Sequence, residues 1–154
     1  MRTIDIGRGY IAMVDDEDYD LVSKLPWHPH VQGNLVYAVR SLWRVNTLMH
    51  RLLLPDAGEH IDHIDGNGLN NCRSNLRSCS PSQNIRNSRK IKIGTSKFKG
   101  VHFYKKYQSW QSYIHTPERL FLGYFRTEIE AALAYNFAAV HYFGEFARLN
   151  DVHV

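Results

Sequence analysis

The segment from residue 60 to residue 87 most constrains the fold, because turn formers and amides replace the apolar pattern there. The run Asp65-Gly66-Asn67-Gly68 is followed by five further asparagines, at Asn70, Asn71, Asn75, Asn84 and Asn87. Residues of these types favour turns and loops over regular core elements. The chain has 154 residues in total, which is enough for one ordinary domain or for two to three very small ones.

A helix is predicted to begin near the end of this segment. Ser80 is suited to the N-cap, Pro81 to the first helical position and Gln83 to the third residue after the cap. Asn84 then lies in the first full turn of the helix. The residues that follow, 89–97, show no period and are interpreted as a basic linker.

The regions on either side carry the apolar patterns of small sheets. Apolar runs at residues 10–14 and 35–39 predict short strands in the N-terminal region. Three aromatic-rich runs at 98–104, 110–116 and 119–125 predict an antiparallel meander. A helix should follow, with Thr127 as its cap and Glu130 in the capping-box position. Its predicted core-facing residues recur at helical spacing: Ile129, Leu133, Phe137 and Val140.

A long stretch of the chain has no acidic residue. No Asp or Glu occurs between Asp65 and Glu118, a span of 52 residues that contains ten Lys and Arg residues. Because aromatic residues are interleaved, this distribution favours a nucleic acid partner over a merely solvated basic surface. The charge alone is as compatible with RNA as with DNA.

Several classes of protein are excluded by what the sequence lacks. Its apolar runs are shorter than the ~20 residues that span a bilayer, and residues 1–5 do not resemble a signal peptide. We therefore expect no membrane association and a cytoplasmic location. Cys72 and Cys79 are too few for a disulfide framework and are interpreted as free thiols. A zinc site shared with two histidines stays open, although the spacing fits no standard pattern.

The middle segment contains the parts that phosphodiester hydrolysis requires, namely groups to activate a water, to bind a cation and to hold both in place. They occur in three runs: Asp62-His63-Ile64-Asp65-Gly66-Asn67, Asn75-Leu76-Arg77 and Gln83-Asn84-Ile85-Arg86-Asn87. This ordered set resembles the HNH endonuclease motif, in the branch of phage and intron homing endonucleases. The resemblance covers roughly residues 48–88.

The resemblance implies roles for four residues on a ββα-metal hairpin. Asp62 and Asn84 would bind one divalent cation per active site, Mg²⁺ or Mn²⁺, through hard oxygen ligands. His63 would be the general base that takes a proton from water. Asn75 would accept a hydrogen bond from the other imidazole nitrogen and fix the tautomer of His63. Many family members carry His where this chain has Asn84.

The last third of the chain resembles the apetala-type (ethylene-response-factor-like) DNA-binding domain, over about residues 97–150. The resemblance is carried by Gly100-Val101, Trp110, Leu122-Gly123-Tyr124-Phe125, Thr127-Glu128, Ala131-Ala132, Ala134-Tyr135-Asn136, Ala138-Ala139, Gly144-Glu145 and Leu149-Asn150. Strand alternation predicts one sheet face that packs on the helix, formed by Val101, Phe103, Trp110, Ile114, Leu120 and Leu122.

The opposite sheet face and the basic residues before it are expected to contact DNA. The expected contacts are Arg86, Arg89, Lys90, Lys92, Lys97, Lys99, His102, Tyr104, Lys106, Tyr113, His115, Arg119 and Phe121. The family carries several arginines on this face, whereas this chain has mostly His and Tyr there. We therefore expect contacts to phosphates and through aromatic rings, and not base reading by paired arginine hydrogen bonds.

These patterns predict an α+β protein in four parts. They are a small β-rich region (1–45), an HNH ββα-metal nuclease core (46–88), a basic linker (89–97) and a three-stranded antiparallel sheet with one helix (98–154). The functional hypothesis is a metal-dependent endonuclease of the phage or homing type. It would act as a monomer on double-stranded DNA, with a nick as the default product and no small-molecule substrate.

An alternative function from another class is a DNA-binding transcriptional regulator in which the HNH segment is a non-catalytic scaffold. A scaffold without activity would be expected to have lost at least one of the motif residues. The complete set of Asp62, His63, Asn75 and Asn84 therefore argues for the enzyme.

Overall fold

The computed structural model of the protein describes residues 1–89 and 94–153. The chain divides into two compact units, Met1–Asn84 and Ile85–Val154. In the first unit the strands are β1 (Arg2–Asp5), β2 (Ile11–Val14), β3 (His28–Gln32), β4 (Leu35–Leu42), β5 (Val45–Leu48), β6 (His60–His63) and β7 (Leu76–Cys79). Its helices are α1 (Asp16–Val22) and α2 (Met49–Leu53), and α3 (Pro81–Asn87) begins in this unit and ends in the second.

Three small sheets make up the first unit. β1 pairs with β2, β3 to β5 form an antiparallel meander, and β6 pairs with β7. One core cluster contains Ile4 and Val14 of the first hairpin together with Met49 and Leu53 of α2. The boundary expected between residues 45 and 46 is therefore not a boundary of the fold, because residues on both sides of it are buried in the same core.

The β6–β7 ribbon and its connecting loop are held against the rest of this unit by two close contacts. Arg51 on α2 donates hydrogen bonds to the backbone oxygens of Ala57, Gly58 and Glu59, which fixes the entry to β6. A Cβ atom on Gly68 would lie 2.5 Å from both the Tyr37 ring and the backbone oxygen of Val36. Only glycine therefore lets the loop approach β4 so closely.

The second unit contains the sheet and helix predicted for the end of the chain. Its strands are β8 (Val101–Tyr104), β9 (Ser109–His115) and β10 (Arg119–Phe125), and its long helix is α4 (Glu128–Phe143). The strands pair antiparallel in the order β10-β9-β8. Thr127 and Glu130 form the predicted capping box at the start of α4. The pattern of apolar runs and the cap motif thus predicted these elements correctly.

The predicted inner face of this sheet is confirmed for Val101, Trp110, Ile114, Leu120 and Leu122, but the predicted face of α4 is wrong. The core of this unit has two clusters. Ile114 is buried in one, with Leu120 and Leu122 packed against it, and Val101 is buried in the other, with Trp110 packed against it. From α4, however, the buried residues are Ala131, Ala132, Tyr135, Ala138, Ala139 and Phe143. The residues expected in the core, Ile129, Leu133, Phe137 and Val140, are 39%, 47%, 81% and 55% exposed.

The physical reason lies in the size of the residues that meet at this interface. Alanines at Ala131, Ala132, Ala138 and Ala139 leave room for the large side chains of the sheet to fill the space between the two layers. Hydrophobic periodicity gives more weight to large apolar side chains than to alanine, and it therefore predicted the wrong face of α4.

Part of the expected basic linker cannot be compared with the structure. Lys90 and Lys92 lie outside the described residues. The division between the two units falls within α3 and not at the predicted linker. Among the residues that the structure describes, no helix is both long enough and apolar enough to cross a membrane.

Candidate active site

β6 places Asp62 and His63 side by side in the β6–β7 ribbon. Adjacent residues of a strand point to opposite faces, so the two side chains have different surroundings. Both are buried, with 5% and 6% of their surface exposed. Asp62 lies opposite Arg77, and His63 lies opposite Leu76.

The His63 ring packs against two other rings. Its centroid is 4.9 Å from that of His50 and 5.9 Å from that of Tyr37. Burial lowers the pKa of His63, although the hydrogen bond with Asn71 and the charges of Asp65 and Asp62 oppose this shift. The imidazole is therefore neutral near pH 7, which is the form that a general base needs.

Asn71 is the amide that lies against this ring. Its Oδ1 is 3.3 Å from Nε2 of His63, and the residue is fully buried. The backbone N–H of Asn71 donates to the Met13 oxygen at 2.8 Å, and its Nδ2 donates to the Leu69 oxygen at 3.2 Å. Since an amide oxygen can only accept, this arrangement assigns the proton of neutral His63 to Nε2 and its lone pair to Nδ1.

Asn75 does not make the hydrogen bond to His63 that the sequence resemblance implied. Its Oδ1 accepts from the Asp65 backbone N–H at 3.0 Å, and its Nδ2 donates to Oδ1 of Asp65 and to the Asn70 oxygen. The physical reason is the turn that follows β6, which brings Asp65 and Asn70 to Asn75. The signal for Asn71 was present in the Asn70-Asn71 pair, but the sequence alone did not show which amide would face the ring.

The turn residues behave as predicted. Asp65 accepts hydrogen bonds from the Asn67 backbone at 2.7 Å and from the Asn70 side chain at 2.8 Å. Burial acts to raise the pKa of Asp65, but the hydrogen bonds from Asn70, Asn67 and Asn75 outweigh it and lower the pKa. The Asn67 side chain accepts from the Leu69 backbone at 3.1 Å. These contacts give the loop between β6 and β7 a defined shape.

Asp62 forms an ion pair with Arg77, the residue opposite it on β7. Nε and Nη2 of Arg77 donate to Oδ2 of Asp62 at 2.9 and 2.7 Å. The Arg77 side chain is itself only 12% exposed. A buried carboxylate requires such compensation, and Arg77 supplies the positive charge that offsets the cost of burying it.

Asn84 lies on the exposed side of α3, in the first full turn as predicted. Ser80 and Gln83 cap this helix reciprocally: Gln83 N–H donates to Oγ of Ser80 at 3.2 Å, and Ser80 N–H donates to Oε1 of Gln83 at 2.7 Å. No group of three or more His, Cys, Asp or Glu side chains suited to a metal ion occurs in residues 1–89 and 94–153. The sequence resemblance assigns a metal to Asp62 and Asn84, whose carboxylate and amide oxygens are hard ligands of the kind that Mg²⁺ and Mn²⁺ accept.

Arg73 connects the acidic segment 15–18 to the loop between β6 and β7, which we call the site loop. The Arg73 side chain donates to both carboxylate oxygens of the buried Asp18, at 2.8 and 2.7 Å. The Arg73 backbone N–H donates to Asp15 at 2.7 Å. Arg73 therefore joins α1 to the loop that contains Asn71.

The sequence did not predict that the rings of His50 and Tyr37 contact His63. Burial lowers the pKa of His50 to about 3, and the neighbouring His63 and Arg51 contribute to the shift. Burial raises the pKa of Tyr37, and Asp62 adds to this shift. A cleft of about 360 Å³ reaches both residues.

In the second unit, most of the residues expected to contact DNA lie on the outer face of the sheet. The His102 and Tyr113 rings stack at 5.1 Å, Tyr113 contacts Phe121, and the Arg119 guanidinium lies 3.8 Å from the Tyr113 ring centre. Tyr104 contacts Tyr107 and Tyr124. The exposed residues among those expected are Arg89, Lys97, Lys106, His115, Arg119 and Phe121.

Lys99, also expected to contact DNA, is engaged within the protein. Its Nζ donates to the backbone oxygens of Ile85, Arg86 and Ser88, at 3.4, 2.6 and 2.8 Å. Burial lowers its pKa to about 8, with a contribution from Arg148. The expected DNA contact is therefore replaced by a structural one, because the ammonium group caps the C-terminal carbonyls of α3. The neighbouring Arg86 stacks 4.9 Å above the Phe143 ring.

Comparison with known proteins is consistent with this geometry. The sequence pattern described as "HNH endonuclease" matches residues 50–86, which include Asp62, His63, Asn75 and Asn84. Protein 3.8 of Escherichia phage T7 is 43% identical over 54 residues, which are 35% of this chain and 45% of the phage protein.

A second relative matches almost the whole chain. A protein of Acanthamoeba polyphaga mimivirus, named as an uncharacterized HNH endonuclease, is 31% identical over 149 residues. The match covers 95% of this chain and 78% of the viral protein. This chain belongs to the HNH endonuclease family.

Proposed function

We propose that this HNH endonuclease hydrolyses phosphodiester bonds in double-stranded DNA at the Asp62–His63 pair, with His63 as the general base. The observation that carries the proposal is the buried, neutral His63 ring with Asn71 at its Nε2 atom. In this tautomer Nδ1 takes a proton from the attacking water, and the imidazolium that forms is stabilised by Asn71 and by the carboxylates of Asp62 and Asp65.

The β6–β7 ribbon and α3 would then form the ββα-metal hairpin of the family, with Asp62 and Asn84 as the residues that hold one Mg²⁺ or Mn²⁺. When bound, a divalent cation supplies positive charge to the phosphate and to the leaving oxygen. Arg77 holds Asp62 in place through two hydrogen bonds to one carboxylate oxygen. We assign to Asn75 the task of shaping the loop that carries Asn71.

We propose that the second unit holds the DNA, as an apetala-type module. The contact residues would be Arg86, Arg89, Lys97, His102, Tyr104, Lys106, Tyr113, His115, Arg119 and Phe121. One active site per chain and a monomer favour a nick as the product. The viral and phage relatives fit an enzyme of the phage or homing type that acts on DNA within a host cell.

The proposal is tested with supercoiled plasmid in MgCl₂ or in EDTA. The wild-type protein should convert the plasmid to the nicked form in MgCl₂ and leave it supercoiled in EDTA. Asp62→Ala should lose nearly all nicking activity in MgCl₂. Asp56→Ala, which removes a carboxylate from an exposed position in the same unit, is the matched control and should nick normally. Equal nicking with and without EDTA would contradict metal dependence.

A further inference from the structure

The outer face of the C-terminal sheet carries a continuous set of aromatic rings, larger than the sequence predicted. We call it the aromatic face, and its members are His102, Tyr104, Tyr107, Tyr113, Phe121 and Tyr124. Each ring has its centroid within 6.1 Å of another member. Tyr107, Phe121 and Tyr124 remain 57%, 48% and 48% exposed. These three rings are therefore available to a ligand.

A β-bulge places the last of these rings on the aromatic face. Phe121 and Tyr124 are three residues apart, so in a regular strand they would point to opposite faces. The register shifts between Phe121 and Gly123, which pairs Phe121 with Tyr113 and Tyr124 with Gln111. Gly123 has a φ of 135°, a backbone conformation that side chains disfavour. The bulge brings the rings of Phe121 and Tyr124 to 4.9 Å from one another.

The charge around the aromatic face indicates the class of ligand. β8, β9, β10 and the 3₁₀ turn at Lys105–Tyr107 contain no Asp or Glu. Lys105, Lys106 and Arg119 are exposed on these elements, and Lys106 and Arg119 lie 5.5 and 3.8 Å from ring centres of the face. On the other side of this unit, α4 has Glu128 and Glu130 in its first turn and no Lys or Arg. A polyanion is therefore favoured on the sheet and not on the helix.

We propose that the aromatic face binds the unstacked bases of single-stranded DNA. In a duplex the bases stack on one another and present only their edges, which are read by hydrogen-bonding groups such as arginine. Arg119 is the only arginine on β8, β9 and β10, and it lies over Tyr113. Exposed aromatic rings flanked by cations instead match the π-faces and phosphates of an unpaired strand. The proposal rests on the proposed function for the choice of DNA, and it assigns to the second unit an unpaired stretch of the DNA whose duplex part the first unit cuts.

The test is fluorescence anisotropy of the full-length protein in EDTA, at one fixed salt concentration. Three labelled probes of equal length are compared: a single strand of about 20 nucleotides, the corresponding duplex and an abasic single strand. The abasic strand keeps the phosphates but has no bases to stack. We expect the single strand to bind at least about tenfold more tightly than the abasic strand, and more tightly than the duplex.

Substitutions at two positions of matched exposure separate stacking from general effects on the fold. Tyr124→Leu on the aromatic face should weaken single-strand binding about tenfold, whereas Tyr124→Trp should retain it. Tyr142→Leu removes a ring that is 49% exposed on α4, against 48% for Tyr124, and should leave binding unchanged. Thermal melting of each variant checks that the second unit remains folded.

Three results would overturn the proposal: equal affinity for the abasic strand, tighter binding of the duplex, or a Tyr124→Leu variant that melts normally and binds the single strand like wild type. The outcome is independent of nicking. If plasmid is never cut while the single strand binds as expected, the proposed nuclease activity fails and the aromatic-face proposal stands.

Discussion

At the scale of single residues, the buried amide of Asn71 determines which nitrogen of His63 carries the proton. Both hydrogen-bonding ends of the Asn71 side chain are engaged, one by His63 and one by Leu69, and its backbone is tied to Met13. In the proposed mechanism Asn71 is a positioning residue, since it contacts His63 and not the substrate.

Changing Asn71 should alter both the rate and its pH dependence. Asn71→Ala should reduce nicking about 10- to 100-fold because the ring loses its orienting partner. Asn71→Asp places a carboxylate beside Nε2, which raises the pKa of His63, so the pH–rate profile should move about one unit or more to higher pH. The measurement is the initial nicking rate between pH 5 and pH 9.

Asn34→Ala is the control, because it removes an exposed amide from the β3–β4 turn of the same unit. Asn71 would be excluded as the positioning residue if Asn71→Asp kept the wild-type pH profile and Asn71→Ala nicked at the wild-type rate.

His50 should make the stability of the protein depend on pH. Its pKa is lowered from 6.5 to about 3 in the folded protein, so between these values the unfolded chain binds a proton that the folded chain does not. Protonation of the unfolded chain therefore destabilises the folded state progressively as the pH falls from 6.5 toward 3. Above pH 6.5 His50 is neutral in both states and causes no such loss. Each pH unit in that window should cost about 1.4 kcal/mol.

Urea denaturation at a series of pH values between 5 and 7 measures this effect. His50→Gln should show a shallower dependence of unfolding free energy on pH than wild type, whereas His28→Gln, on the exposed side of β3, should not. Parallel slopes for wild type and His50→Gln would show that His50 does not account for the pH dependence.

At the scale of elements, the contact between α1 and the site loop depends on Arg73. The Asp18 side chain is 5% exposed, while that of Arg73 is 43% exposed. Loss of Arg73 leaves a buried carboxylate without its partner, which is costly, although solvent access on the arginine side reduces the effect. The loop that carries Asn71 would also lose its attachment to α1.

Arg73→Ala should therefore lower the free energy of unfolding by about 2 kcal/mol. Arg8→Ala, which removes an exposed arginine of the β1–β2 turn, should change it by less than about 0.5 kcal/mol. Chemical denaturation of both variants makes the comparison. An Arg73→Ala variant as stable as Arg8→Ala would contradict a structural role for this ion pair.

The orientation of α4 can be tested in the same way. Ala139 is fully buried, so Ala139→Leu should overpack the core of the second unit and destabilise it by about 1 to 3 kcal/mol. Phe137 is 81% exposed, so Phe137→Gln should change stability by no more than about 0.5 kcal/mol. Thermal or chemical denaturation makes the comparison. A larger loss of stability in Phe137→Gln than in Ala139→Leu would show that the helix face predicted from apolar spacing is the buried one.

At the scale of the whole molecule, features set by local sequence patterns were predicted correctly, whereas contacts between distant parts of the chain were not. The capping motifs at Ser80 and Thr127 and the strands of the second unit were predicted correctly, because each depends on residues close together in the chain. The shared core of Ile4 and Met49 and the ion pair of Asp18 with Arg73 join residues about fifty positions apart, and no local pattern indicates them.

The candidate active site shows the same division. The order of motif residues predicted Asp62 and His63 as site residues, but the choice between Asn71 and Asn75 as the partner of the His63 ring depends on how the loop folds. That fold is set by the close approach of Gly68 to Tyr37 and by the hydrogen bonds of Asp65, neither of which follows from spacing alone.

Whether His63 is the base of a DNA-cutting site is tested most directly by plasmid nicking with His63→Ala and with His28→Ala, with plasmid binding measured on the same preparations. We expect His63→Ala to lose nearly all nicking while its affinity for DNA stays within about twofold of wild type, and His28→Ala to retain both. A His63→Ala protein that nicks plasmid at the wild-type rate would show that His63 is not the base.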